Sequence, residues 1–270
     1  MSSSFKKRLS SLKARLSGER IVDDLYDIEM VERIVGKKFD STPEIRVCSP
    51  RKYRKIVSEM PDSQAAAKVK QNKIYIPKSS VQPSESKPFI DEYCVVHELG
   101  EIMFNRRSRL SQKLDEEKLY EDLIISNTFF GELYRYLSNR LSQEDSAKLE
   151  SDPESNHVLN RFTRTALSHG FSDMLARIFL QKKYGNSGFM AGIRYTYVSE
   201  SLIDKIEQLP DSYEKVLLAF QIAGTILANN NYGESGLQYL LSIDKDQLPS
   251  VRKMLTKYYV RVLETSLQKR

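Results

Sequence analysis

From Phe89 onward the sequence turns helical and stays so, which confines any β-sheet to the first third of the chain. The apolar period predicts helices over 89–105, 116–140, 158–183, 198–207, 211–229, 233–242 and 248–267. Turn signals separate them: Asp152-Pro153, Gly185-Asn186-Ser187-Gly188, Leu209-Pro210, Asn229-Asn230-Asn231 and Leu248-Pro249. Ahead of Phe89 the pattern is mixed. A helix is expected from Val22 to Val35, stopped by Gly36, and a second over 51–60. Residues 44–48 alternate like a short strand. Residues 68–70 and 73–76 read as a hairpin or bent strand pair around Gln71-Asn72, ended by Pro77. Residues 78–88, with four serines and two prolines, read as a loop. The expected class is α+β, predominantly helical: a small N-terminal sheet packed on one helix, then a helical remainder. The expected divisions are an N-terminal helical segment (1–40), a central domain (41–190) and a helical C-terminal region (191–270) packed on the same core.

Composition narrows the function classes. With 40% apolar and 29% charged residues, the 270-residue chain has the make-up of a folded globular protein. It has no apolar run of membrane-spanning length and no signal-peptide core at its N-terminus, so a cytoplasmic location is expected. Cys48 and Cys94, far apart in sequence, are expected to be reduced and packed. The net charge of +6 is spread over the chain apart from the N-terminus, and no zinc-finger, RNP-like or Arg-Gly motif accompanies it. That gives no strong nucleic-acid signal. Residues 5–16 place Phe5, Leu9, Leu12 and Leu16 on one face, with lysines and arginines around them. The segment suits a terminal helix docked on its own domain, or a peripheral membrane contact. The apolar residues of 216–227 suit a core or an oligomer face, and oligomeric state stays open.

One segment carries chemistry: Tyr93-Cys94-Val95-Val96-His97-Glu98-Leu99-Gly100-Glu101-Ile102-Met103-Phe104-Asn105. His97 and Glu101, four apart, share a helical face, and imidazole and carboxylate both ligate zinc. Glu98, next to the first ligand, is placed to take a proton from an activated water.

This segment resembles the active helix of the zincin metallopeptidases, whose motif is His-Glu-x-x-His. In wording it is closest to the ImmA/IrrE-like group, with Glu101 in place of the second histidine. The strand 73–76 ahead of it and Asn127-Thr128-Phe129-Phe130-Gly131-Glu132-Leu133 behind it extend the resemblance, which covers at most residues 44–180. A second piece, Ala166-Leu167-Ser168-His169-Gly170-Phe171-Ser172-Asp173-Met174-Leu175-Ala176, resembles the glutamate helix of gluzincins, with His169 where the third ligand, a glutamate, stands. The resemblance implies a zinc set of His97, Glu101 and His169 with one position open, and Glu98 as general base. Asp173, one turn past His169, is a further ligand or the acceptor that orients the imidazole. Glu121 or Asp122 on the intervening helix is the competing third ligand. Either would give one histidine and two carboxylates, a set that favours Mn2+ or Fe2+. Tyr195 or Tyr197 would be the donor to an oxyanion.

Three functions follow: a zinc-dependent peptidase acting on peptide or protein, an inactive zincin-fold binding or regulatory protein (a pseudoenzyme), and a basic helical interaction protein.

Overall fold

The computed structural model describes residues 20–21, 26–56, 66–68, 71–77, 89–110 and 126–268. Segment 5–16, Glu121 and Asp122 lie outside the described residues. In chain order the elements are β1 (Arg20–Ile21), α1 (Ile28–Val35), β2 (Glu44–Cys48), α2 (Pro50–Ile56), β3 (Ala66–Lys68), β4 (Lys73–Pro77), α3 (Ile90–Arg107), α4 (Asn127–Leu137), α5 (Gln143–Ser151), α6 (Pro153–Thr196), α7 (Glu200–Gln208), α8 (Tyr213–Asn230), α9 (Glu234–Ser242) and α10 (Leu248–Gln268). The class is α+β and predominantly helical. Among the described residues no helix is long and apolar enough to cross a membrane.

The described chain divides into two units. One holds the residues up to Met103 together with Leu175–Tyr195; the other holds Phe104–Met174 and everything from Thr196 onward. Both units are therefore discontinuous in sequence, and the boundary falls inside α3 and inside α6.

The first unit contains a four-stranded sheet in the order β1-β2-β4-β3. β2 and β4 run parallel, with Ile45 beside Ile74 and Val47 beside Ile76, while β1 and β3 join antiparallel at the two edges. Ile45, Ile74 and Ile76 are fully buried, as branched residues in central strands should be. Asn72 takes the left-handed conformation (φ 55°) in the turn from β3 to β4, so the strand pair is a hairpin. The helix expected from Val22 instead begins at Ile28. Asp27 caps it by accepting from the Met30 amide at 2.8 Å, and Gly36 (φ 67°) ends it as expected. On α6, Lys183 Nζ and the Tyr184 hydroxyl both donate to Glu92 of α3, and Phe89 stacks on Tyr184 at 4.1 Å.

The second unit is built around α8. Val216, Leu217, Phe220, Ile222, Ala223 and Thr225 are buried around nearly its whole circumference, so α8 is a core helix rather than a surface one. Burying a side chain such as Phe220 contributes about 1.5–3 kcal/mol. α4 and α10 pack against α8. Phe162 of α6 stacks on Phe220 at 5.3 Å. At the α4–α10 contact the Tyr134 hydroxyl donates to Glu207 at 2.8 Å and lies 3.1 Å from the Tyr259 hydroxyl. Arg140 closes the same carboxylate with two 3.0 Å bonds. Burial, then the neighbouring Tyr259 and Glu207, pushes the Tyr134 hydroxyl far up, and burial raises Tyr259 to about 12. Both phenols therefore stay protonated. Burial alone would raise Glu207, but the bonds from Arg140 and Tyr134 outweigh it and hold the carboxyl below its ordinary value.

Candidate metal site

Helix α3 carries the His-Glu segment. Asp91 and Glu92 lie in its first turn and Arg106 and Arg107 in its last, each matching the end of the helix dipole it faces. Val95, Val96, Leu99, Ile102 and Met103 are buried, which anchors one face of the helix. Cys94, His97, Glu98, Glu101 and Asn105 are half-buried and run along one side at the spacing of a helical stripe. The polar residues of the motif thus share the one side that the core leaves accessible. His97 Nε2 lies 3.8 Å from Glu101 Oε1, with the two side chains 12% and 30% exposed. The Tyr93 ring is tilted over His97 at 6.2 Å and meets the Tyr195 ring at 5.1 Å. Tyr195 is therefore brought to Tyr93, and its hydroxyl is pushed up by burial and then by Cys94. Tyr197, by contrast, is 69% exposed.

Helix α6 carries the second segment. It begins at Asp152, whose carboxylate accepts from the Ser155 amide at 2.9 Å, with Pro153 in the first helical position. His169 and Asp173 sit one turn apart, Nε2 to Oδ2 3.6 Å, with side chains 25% and 9% exposed. Phe171, between them, is fully buried against Phe104 at 5.6 Å. Arg164 Nη2 donates to Asn105 Oδ1 at 2.8 Å. The Thr225 hydroxyl of α8 donates to Asp173 Oδ2 at 2.5 Å.

Among the described residues, one group of His, Cys, Asp and Glu side chains offers atoms close enough together to hold a metal ion. It is His97, His169 and Asp173, with one ligand atom from each inside 4.8 Å of the other two. The group contains two histidines named from sequence, and Asp173, named as an additional residue. Glu101 faces His97 from the next turn and is not one of this trio. The donor chemistry fits zinc: two imidazole nitrogens and one carboxylate oxygen match a catalytic set that keeps an open position. Cys48 and Cys94 are not members of the group.

The sequence offered no sign of Thr225. A threonine inside an apolar helix carries no information about which carboxylate it reaches. Only the crossing of α6 and α8 supplies that.

No protein-family model, curated protein or solved structure matches the chain.

Proposed function

We propose that this is a cytoplasmic, zincin-like metalloprotein that holds a divalent ion, zinc first, on His97, His169 and Asp173. The observation that carries this reading is the convergence of those three side chains. They come from the two segments that resemble the active helices of the zincins. A bound zinc would act as a Lewis acid on a substrate carbonyl and make water a nucleophile at neutral pH.

The chain's own groups supply the rest of a peptidase. His97 and His169 would hold the ion through imidazole nitrogens, and Asp173 would contribute the carboxylate and its negative charge. Glu98, adjacent to His97 on the accessible stripe, accepts the proton of the attacking water and returns it to the leaving amine. The substrate is a peptide or protein segment that reaches this stripe in an extended form.

A second reading rests on Glu101. A carboxylate 3.8 Å from His97 occupies the place where the zincin motif has its second imidazole. That difference favours a metal-binding or metal-free regulatory protein that keeps the scaffold without hydrolysis.

The deciding experiment is metal analysis of the full-length protein, purified without chelator and then reloaded with zinc. One zinc per chain is expected, lost in His97→Ala and in His169→Ala. A wild-type protein that takes up no zinc, Mn2+ or Fe2+ at micromolar concentration would sink the reading.

A further inference from the structure

We infer that Thr225 is a positioning residue for this site: its hydroxyl fixes the Asp173 carboxylate beside the close crossing of α6 and α8 at Gly170 and Gly224. The inference rests on the metal-binding reading above and adds a residue from a helix that carries no part of the zincin-like segments.

The bond is not the one a helical threonine ordinarily makes. Threonine hydroxyls inside helices tend to bond back to the carbonyl one turn earlier. Thr163 does so to Leu159 at 2.7 Å, Thr165 to Arg161 at 3.0 Å and Thr265 to Arg261 at 2.8 Å. Thr225 instead sends its proton to a side chain on another helix. Thr225 is 4% exposed and Asp173 6%, so water does not compete for the bond. A hydroxyl donated to a carboxylate is among the stronger hydrogen bonds, and it sets the side-chain rotamer of the acceptor. Asp173 has two oxygens, with lone pairs for several partners. Fixing Oδ2 leaves the group able to ligate while removing its freedom to rotate.

The glycines set how closely the two helices approach beside Thr225. A Cβ on Gly170 would run into the Gly224 carbonyl, and a Cβ on Gly224 into the Ala166 carbonyl. Ala228 completes the contact. The absence of side chains at 170 and 224 therefore permits the close crossing beside which Thr225 meets Asp173. His169, Gly170 and Asp173 lie within one turn and a half, so the same crossing braces two members of the trio.

The test compares zinc affinity of the full-length protein and three variants, measured by competition with a chromophoric chelator. Cobalt absorption reports ligand geometry. Thr225→Val keeps the volume and removes the hydroxyl; Thr225→Ser and Thr225→Ala differ from each other by one oxygen. Loss of an outer partner of a metal ligand weakens binding about 10–100-fold. That loss, with an altered cobalt spectrum, is expected in the Val and Ala variants, while the Ser variant stays close to wild type. Wild-type affinity in the Val or Ala variant, or a Ser variant as weak as Ala, overturns the inference and leaves the metal site standing. A wild-type protein that binds no metal overturns both. Should the Val variant fail to fold, the Ser and Ala pair decides.

Discussion

His169 and Asp173 stand one helical turn apart with 3.6 Å between Nε2 and Oδ2, and His97 and Glu101 repeat that relationship on a second helix at 3.8 Å. The two carboxylates are nevertheless not equivalent. Asp173 is buried and held by Thr225, whereas Glu101 is 30% exposed and lies outside the trio. Asp173→Asn is therefore expected to abolish stoichiometric zinc binding, and Glu101→Gln to leave most of it. Metal content after dialysis against buffered zinc checks both. Equal losses would mean that the ion sits between the two pairs rather than on the trio.

Glu98 separates binding from turnover. It belongs to neither His–carboxylate pair, and its proposed task is proton transfer. Glu98→Gln should retain zinc and lower hydrolysis by at least about 100-fold, the lower end for loss of a general base. The readout is cleavage of an unstructured peptide library followed by mass spectrometry. Persisting cleavage would remove Glu98 from the mechanism. Absence of cleavage in the zinc-loaded wild type would favour the regulatory reading.

The Tyr134–Glu207–Arg140 cluster predicts a pH dependence of stability. Glu207 has its carboxyl held below the ordinary value in the folded protein. Such a group stabilises the fold fully above its unfolded value of about 4.3, and that contribution fades as pH falls through the lower folded value. Glu207→Gln should therefore flatten the acid side of a stability profile below about pH 4.3. At neutral pH the substitution should cost about 1–2 kcal/mol, mainly through the buried Tyr134 hydroxyl. Arg140 is 43% exposed, so its Coulombic share is small after solvent screening. Urea unfolding at several pH values tests both statements.

Gly224→Ala probes the helix crossing. The added Cβ meets the Ala166 carbonyl, a backbone atom that cannot turn aside. A loss of about 1–3 kcal/mol is expected, the usual range for overfilling a packed contact. Urea or thermal denaturation of the metal-free protein measures it. An unchanged midpoint would show that the two helices separate at little cost.

Much of the architecture could be read from the residues, and the failures have identifiable causes. α3 was expected over 89–105 and runs from Ile90 to Arg107, because its apolar spacing and charged ends agree. Strand 44–48, strand 73–76 and the stop at Gly36 follow from equally local signals. The residues Asp152-Pro153 signal a turn. They instead start a helix, and His157 lies half-buried in the second turn of α6. Asp at the cap and Pro in the first position have the same composition as a turn. Gly185-Asn186-Ser187-Gly188 was read as a break, yet only Gly185 leaves helical geometry (φ 62°, ψ −139°) and the helix resumes at once. α5 went unrecognised because Gln143–Ser151 buries Leu149 alone among its side chains and so shows no apolar period. At the site, His97 and His169 could be named because imidazoles are rare in this chain and both stand in motif-like surroundings. Asp173 could be named only as a neighbour. Nothing local distinguishes it from Glu101, since each carboxylate stands one turn after a histidine.

The glycine crossing ties this site to heredity as well as to chemistry. Asp173 and Thr225 form a pair laid over a helix contact that needs bare backbone at Gly170 and Gly224 in its own right. A lineage that loses the carboxylate at 173 loses the reason to keep the hydroxyl at 225, but not the reason to keep the glycines. Relatives of this chain are thus expected to hold 173 and 225 together or to let both drift, while 170 and 224 stay small wherever the two helices still touch.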